Sequence, residues 1–206
     1  MVLAGGASRR FGSDKVFARV GSLRLIDLAL ASLADADGVT VMIGSPERLA
    51  ATASVLPQGV TALADEHPGR GPMAGLATAA AHHRTSWIAL LAVDLPLVPS
   101  SWWSHLASRH RPGALAIVPR DANGRWEPLA ALYHGSLAAE LAAALESGDP
   151  ARLRLQDWLD DLESRGLVAA VDAAEAPAGA LSNVNRRDDA DRVAAVLRAL
   201  RGEARE

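Results

Sequence analysis

A glycine-rich segment near the start of the chain has the residue types that bind phosphate. It reads LAGGASRRFGSDK over residues 3–15. Glycines let backbone N–H groups approach phosphate oxygens, while the Ser8 hydroxyl and the Arg10 cation add donors and charge. The spacing fits neither GxxxxGK[ST] nor GxGxxG, because five residues separate Gly6 from Gly12. A Walker-type NTPase and a dinucleotide fold are therefore disfavoured; a glycine-rich turn with solvated arginines is the structural alternative.

The same segment carries an unusual cation. Lys15 is the only lysine among the 21 basic residues of the chain. An ammonium is a compact point charge with three rotatable donors, whereas guanidinium is a larger planar fork. We therefore expect position 15 to need an amine against a tightly held phosphate.

Two aspartates follow predicted strands and are candidates for ligand binding. Asp94 comes at the end of residues 87–93, a nearly uniform apolar run typical of a central strand. Open α/β sheets bind ligands at the carboxyl ends of their strands, and a carboxylate there can hold Mg²⁺ against a triphosphate. Asp65 directly follows the predicted strand 60–64 and could accept hydrogen bonds from a nucleoside. For both residues, a turn-forming role is the alternative.

Two further pairs of residues have ligand-binding and structural interpretations. Asn183 and Asn185 are two positions apart, so in an extended segment both amides face the same side and could share a ligand. The alternative is turn and N-cap duty before the last helix. Gly71 and Gly75 surround Pro72 at a predicted helix start. Close approach to a base or ribose and simple helix–sheet packing both remain open there.

Strand-length apolar runs alternate with stretches of helical period, which predicts a mostly parallel, twisted sheet with helices on both faces. Residues 115–118 and 129–133 flank an Asn123–Gly124 turn signal and could form a small, projecting antiparallel pair. Predicted strands are residues 2–4, 39–44, 60–64, 87–93 and the edge strand 167–171; predicted helices lie within 25–33, 71–80, 136–146, 153–162 and 188–200.

Composition limits the function classes. With a net charge of −3, the chain has no global field for a polyanion, so we expect no nucleic acid partner. It has no cysteine, which excludes disulfides, thiolate metal sites and cysteine nucleophiles. No apolar run is long enough to span a membrane and no leader is evident, so we expect a cytoplasmic protein. Few residues precede Gly5 for a central strand, which leaves open a natural start upstream of Met1.

The glycine-rich segment resembles the signature of the MobA-like nucleotidyltransferases, which are related to molybdenum cofactor guanylyltransferase. Their pattern is LAGG-x-S-x-R-[ML]-G-x-D-K, and only Phe11 departs from it. Sugar nucleotidyltransferases usually continue with a Gly-Thr-Arg stretch, which this chain lacks. GPMAGL at 71–76, VDLP at 93–96 and SNVNRRDD at 182–189 are similar to the family's GPLAGI, CDMP and NVNTPED. EPLAALYH at 127–134 resembles its substrate-side strand.

The resemblance implies one MobA-like NTP transferase domain over residues 1–206, with a three-layer, Rossmann-like α/β fold. It implies an enzyme that joins the GMP of GTP to the phosphate of Mo-molybdopterin and releases pyrophosphate, with transient contacts to molybdoenzyme assembly proteins. The implied catalytic residues are Arg10, Lys15 and Asp94, with Asp94 holding Mg²⁺ and Asn183 and Asn185 holding the acceptor or helping to hold the metal. The implied nucleotide contacts are Leu3, Ala4, Gly5, Gly6, Ser8, Lys15, Asp65, Gly71 and Asp94.

Three alternatives remain at this stage. One is a related transferase that uses CTP or another phosphorylated acceptor, although the cytidylyl branch usually has LAAG where this chain has LAGG. Another is a nucleotide-binding module without catalysis, against which Asp14, Lys15 and Asp94 argue. The third is a GTPase switch protein, which this chain's lack of GxxxxGK[ST] disfavours.

Overall fold

The fold is built on one seven-stranded sheet, seen in a computed structural model that describes residues 1–4, 17–44, 46–83, 87–149 and 153–200. Its strands, in chain order and with the separate pair β2–β3 included, are β1 Val2–Leu3, β2 Arg19–Val20, β3 Leu23–Arg24, β4 Val39–Ile43, β5 Val60–Ala64, β6 Trp87–Ala92, β7 Ala116–Arg120, β8 Ala130–His134 and β9 Val168–Asp172. The helices are α1 Leu25–Ser32, α2 Leu49–Ala53, α3 Pro72–His82, α4 Ser101–Ser108, α5 Ala138–Glu146, α6 Leu155–Ser164 and α7 Arg187–Leu200.

The sheet order is β5-β4-β1-β6-β8-β7-β9. The four strands from β5 to β6 are parallel, and β7 is parallel to β9. Strand β8 is antiparallel to both of its neighbours, β6 and β7, which makes it the reversed strand of this sheet. The predicted mostly parallel α/β fold is confirmed.

Helices cover both faces of the sheet. Helices α1, α4 and α7 pack on one face, and α3, α5 and α6 pack on the other. Strand side chains alternate between the two cores: Val2 and Leu91 lie in the first, while Leu3 and Leu90 lie in the second. Because both faces are covered, the central strands β1 and β6 are entirely apolar, as the parallel-sheet pattern predicts.

The predicted projecting hairpin is only partly correct. Strands β7 and β8 do form an antiparallel pair, joined through a turn in which Gly124 has a φ of +79°. The pair does not project, because β8 also pairs with β6 and β7 also pairs with β9. The edge position predicted for the last strand, β9, is confirmed.

A second, two-stranded sheet of β2 and β3 lies before α1 and was not predicted. Its turn contains Gly21, with a φ of +60°, followed by Ser22. A two-residue turn with glycine first, between Val20 and Leu23, is a recognisable hairpin signal. Within the described ranges, the helices are too short or too polar to traverse a bilayer.

Candidate active site

The sheet creates a crevice where β1 ends. Strand β1 pairs with β4 on one side and with β6 on the other, with Leu3 beside Met42 and Ala92. Strands β4 and β5 are added to the sheet on one side of β1, and the next strand, β6, is added on the other side of β1. Such a reversal of strand order opens a ligand-binding crevice at the carboxyl ends of the strands. In the sequence, the glycine-rich segment continues directly from Ala4, and residues 5–16 lie outside the described ranges.

Asp94 lies at the same edge, two residues beyond β6. The Val93 N–H donates to the Leu3 carbonyl at 3.0 Å, so the end of β6 lies beside the end of β1. Asp94 is partly exposed between Val93 and Leu95, which are both buried. The Leu95 N–H donates to the Ala92 carbonyl at 3.1 Å, which closes a tight turn around the aspartate. The backbone that carries Asp94 therefore leaves the sheet about one strand spacing, ~5 Å, from the end of β1.

The asparagine segment from the far end of the chain meets Asp94. The Val184 N–H donates to the Asp94 carbonyl oxygen at 2.8 Å. Val184 is fully buried, while Asn183 and Asn185 on either side of it are exposed. An anchored valine between two exposed amides holds both asparagines next to Asp94. The backbone thus brings Asp94, Asn183 and Asn185 together at one edge of the sheet, while their ligand roles stay predictions.

Asp189 holds the asparagine segment in place from the first turn of α7. One of its carboxylate oxygens, Oδ2, accepts the N–H groups of Asn185 at 3.0 Å and Arg186 at 2.9 Å. These backbone hydrogen bonds lower the pKa of Asp189, and its ion pair with Arg192 adds to the effect. The carboxylate is therefore part of the structure that presents Asn185.

Asp65 follows β5, two strands beyond β1 on the side away from Asp94. Its N–H donates to the Ile43 carbonyl at 2.8 Å, and its Oδ1 accepts the His67 N–H at 2.9 Å. Asp65 therefore stabilises a turn, as the structural interpretation of this residue predicts. Three strand spacings, ~14 Å, separate the ends of β5 and β6. A nucleoside contact at Asp65 stays a prediction.

The two glycines at the start of α3 have different roles. Gly71 has a φ of +79°, which favours glycine, and is exposed just before Pro72. Gly75 is buried, and a Cβ added to it would lie 2.6 Å from Leu3 Cδ2. Gly75 therefore serves helix–sheet packing, the structural alternative, and it ties α3 closely to β1. A ligand contact at Gly71 remains a prediction.

The other predicted nucleotide contacts divide into two groups. Leu3 and Ala4 are described and lie in the core, 9% and 3% exposed. The predicted phosphate-binding and catalytic residues Gly5, Gly6, Ser8, Arg10 and Lys15 lie outside the described residues.

One carboxylate at this edge received no role from the sequence. Glu127 lies between β7 and β8, close to the end of β6, because the Leu129 carbonyl accepts the Ala92 N–H at 2.9 Å. The sequence signal that could have identified Glu127 is its position before Pro128 in the segment EPLAALYH, which resembles the family's substrate-side strand. Because β8 runs antiparallel to β6, the start of β8 lies at the edge where the parallel strands end.

A solved protein has the same fold. The crystal structure of molybdopterin-guanine dinucleotide biosynthesis protein A from Archaeoglobus fulgidus is similar, with a TM-score of 0.75 and 26% sequence identity. The similarity covers 96% of this chain and 97% of that chain. The class defined by this fold and its switch-point crevice is the nucleotidyltransferases.

Sequence comparison gives the family. The family model of the MobA-like NTP transferase domain matches residues 1–165, and the chain belongs to this family. A relative from Opitutus terrae is 34% identical over 93% of this chain and 92% of its own length. Another, from Deinococcus radiodurans, is 37% identical over 75% of this chain and 76% of its own length. Both are named "probable molybdenum cofactor guanylyltransferase".

Proposed function

We propose that this enzyme transfers GMP from GTP to the terminal phosphate of Mo-molybdopterin, giving molybdopterin guanine dinucleotide and pyrophosphate. Family membership and the names of the relatives support this substrate pair. The observation that carries the proposal is the hydrogen bond from the Val184 N–H to the Asp94 carbonyl oxygen, because it joins the asparagine segment to the backbone that carries the carboxylate at the switch point. A site divided between two ends of the chain in this way suits two substrates that must meet.

The chemistry is an in-line displacement at the α-phosphorus of GTP. An oxygen of the acceptor phosphate forms the new P–O bond, and the bond from the α-phosphorus to the bridging oxygen breaks as pyrophosphate leaves. The acceptor is already anionic, so the protein need supply no nucleophile. Positioning and charge neutralisation are its main contributions. We assign the triphosphate to the backbone of Gly5, Gly6 and Ser8, with Arg10 and Lys15 supplying charge.

We assign the metal, Mg²⁺, to Asp94. Within the described part of the chain, no group of three His, Cys, Asp or Glu side chains could hold a metal ion. A single carboxylate such as that of Asp94 suits Mg²⁺, which commonly takes one or two carboxylates and completes its shell with substrate phosphates and water. When bound, Mg²⁺ neutralises charge on the triphosphate and on the departing pyrophosphate. Asn183 and Asn185 are placed to contribute amide oxygens to the metal or to the acceptor.

The order of strands suggests how the substrates lie. The nucleoside would occupy the side of β4 and β5, near Asp65 and Gly71. The phosphates would lie at β1 and β6, between the glycine-rich segment and Asp94. The acceptor would then approach from the side of β8 and Asn183. We expect the reaction in the cytoplasm, with transient contacts that pass the product to molybdoenzyme assembly proteins.

A turnover assay tests the proposal. Purified protein, Mg²⁺ and Mo-molybdopterin are incubated with each of the four nucleoside triphosphates, and both pyrophosphate and the dinucleotide product are quantified. We expect equimolar product and pyrophosphate with GTP, and a loss of about 10²-fold or more in the Asp94→Asn variant, as for other lost electrostatic groups. Product with CTP alone would identify a cytidylyl enzyme. Binding without product would indicate a non-catalytic module, and acceptor-independent orthophosphate release would indicate a GTPase.

A further inference from the structure

We call the edge of the sheet where β1, β4, β5 and β6 end the reactive edge. Glu127 lies at this edge, on the side opposite the predicted nucleoside site. Its N–H donates to the Pro119 carbonyl at 2.8 Å, and the Leu129 carbonyl, two residues later, accepts the Ala92 N–H at 2.9 Å. Asp94 is the second residue after Ala92. Glu127 therefore lies beside the end of β6, across that strand from β1 and from Asp65.

The backbone just before Glu127 is held firmly. The Trp126 N–H donates to Gln156 Oε1 at 2.9 Å, and Gln156 Nε2 donates to the Trp126 carbonyl at 2.7 Å. The buried indole donates to Asp160 Oδ1 at 2.8 Å and packs under the Arg120 guanidinium, 4.4 Å from the ring centroid. Helix α6 thus fixes the segment that precedes β8 and carries Glu127, and a binding residue requires such a fixed backbone.

The Glu127 carboxylate itself is unpaired within the part of the chain that the structure describes. Its neighbour Asp121 behaves differently, because Asp121 Oδ1 accepts the N–H groups of Asn123 at 2.8 Å and Arg125 at 2.9 Å. Glu127 is half-buried, and this burial raises the pKa of its carboxyl group, with Asp121 adding to the rise and Arg125 opposing it. A half-buried carboxylate without a donor costs stability. Such groups are concentrated at functional sites, where a ligand supplies the missing partner.

We propose that Glu127 binds the acceptor substrate by accepting hydrogen bonds from N–H groups of its heterocycle. This inference rests on the proposed function, which makes the acceptor a pterin. A pterin ring presents an amino group and an adjacent ring N–H in one plane, and two parallel N–H donors match a carboxylate. The nucleoside is assigned to the far side of β1, so the acceptor is the substrate within reach of Glu127.

The kinetic test compares Glu127→Gln and Glu127→Asp with a control at the same edge, Asp172→Asn. Asp172 ends β9, and its Oδ1 accepts the Ala174 N–H at 2.9 Å, a bond that an asparagine can retain. With GTP saturating and the acceptor varied, we expect the KM for the acceptor to rise at least about tenfold in Glu127→Gln, the loss of one charged hydrogen bond. The KM for GTP should stay within about twofold, Glu127→Asp should recover part of the loss, and Asp172→Asn should match the wild type.

A stability measurement separates this role from a structural one. The folded-state pKa of Glu127 lies above the unfolded value, so its ionised form destabilises the fold above that folded pKa, and the penalty disappears below the unfolded pKa. Glu127→Gln should therefore unfold at the same or a higher temperature than the wild type at pH 7.5. Near pH 4 the two proteins should unfold at closely similar temperatures. A purely structural glutamate would give a lower midpoint at pH 7.5 when replaced.

An unchanged acceptor KM in Glu127→Gln would overturn the proposal, and so would a lower unfolding temperature of that variant at pH 7.5. Equilibrium titration of molybdopterin, followed by tryptophan fluorescence, keeps the test independent of turnover. Wild-type protein that binds molybdopterin at least about tenfold more tightly than Glu127→Gln but makes no dinucleotide would refute the proposed function and leave the Glu127 assignment standing. Equal binding by both proteins, or no binding by either, would refute the Glu127 assignment.

Discussion

The carboxylates along the reactive edge illustrate how neighbours give one chemical group different roles. Asp121 and Asp189 accept backbone N–H groups, which lower the pKa of each, and both residues shape local backbone. Asp65 also accepts a backbone N–H, within its turn. Glu127 has no such donor among the described residues, and the pKa of its carboxyl group is raised. Hydrogen bonding to the backbone thus distinguishes the carboxylates of Asp121 and Asp189 from that of Glu127, which has a raised pKa and is a candidate for ligand binding.

The lone lysine gives the first prediction at this scale. We expect Lys15→Ala to lower kcat/KM for GTP by about 10²-fold or more, because a charge against the triphosphate is lost. Lys15→Arg should recover little of it, because a planar fork does not replace a compact ammonium. Initial rates with saturating acceptor measure both effects. Arg9→Ala is the matched control, since Arg9 falls outside the family pattern; equal losses in Arg9→Ala and Lys15→Ala would contradict the assignment.

Asp189 gives a prediction about acid stability. Its folded-state pKa lies below the unfolded value, so its stabilising contribution is present above that unfolded value and is lost as the pH falls through the folded pKa. Asp189→Ala should therefore unfold at a lower temperature than the wild type at pH 7, and the difference should shrink towards pH 3. Thermal unfolding across this range measures it. Asp188→Ala, one position away, is the control; a gap between Asp189→Ala and wild type that is constant with pH would be inconsistent with this role.

The family resemblance assigned Asp94 and the asparagine segment to one site, and the structure places the two segments side by side. The role of Gly75 was left open by the sequence, since its close contact with Leu3 exists only once α3 packs on the sheet. Glu127 was missed because its position depends on Pro119, Gln156 and Ala92, none of which is local to it. The local sequence gives the chemical type of a residue, whereas contacts between segments that are distant in the sequence determine its surroundings in the fold.

At the scale of elements, the β7–β8 hairpin shows the limit of turn signals. The Asn123–Gly124 pair correctly predicts that two strands pair with each other. A turn, however, contains no information about the outer edges of the hairpin. Those edges pair with β6 and β9, and this is how the start of β8 comes to the reactive edge. The two-residue strands β2 and β3 were missed because so few residues carry no alternation of apolar and polar positions.

The contact between α3 and β1 gives a prediction at this scale. Gly75→Ala should destabilise the protein by about 1 kcal/mol, because overpacking against Leu3 costs ~1–3 kcal/mol and outweighs the helix-propensity gain of ~1 kcal/mol. The unfolding temperature should fall by ~2–4 °C. Gly38→Ala is the control, because an added Cβ there meets no atom within 4 Å. A Gly75→Ala protein as stable as Gly38→Ala would show that the helix can shift without cost.

At the scale of the whole molecule, the proposed arrangement places the substrates side by side along one edge of the sheet. With a net charge of −3, the chain does not attract polyphosphates as a whole, so we expect attraction to come from the cations of the glycine-rich segment. In the proposed arrangement, selectivity for a base would come from the residues around Asp65 and Gly71. Affinity and selectivity would then depend on different parts of the chain.

A nucleotide panel tests that arrangement. With Mg²⁺ present, GTP at about 100 times its Kd should stabilise the fold by ~2.7 kcal/mol and raise the unfolding temperature by ~5–10 °C. ATP, CTP and UTP should give smaller shifts at the same concentration. Differential scanning fluorimetry measures all four, with EDTA as the metal control. Equal shifts for the four nucleotides would mean that the base is not recognised.

The hydrogen bond between Val184 and Asp94 also has a consequence for biosynthesis. Ribosomes synthesise the parallel strands β1, β4, β5 and β6 before Val184. A polypeptide that ends before residue 183 would therefore contain these strands but lack Asn183 and Asn185. Assembly of the edge that carries Asp94 and both asparagines is in this way coupled to synthesis of the chain through residue 185.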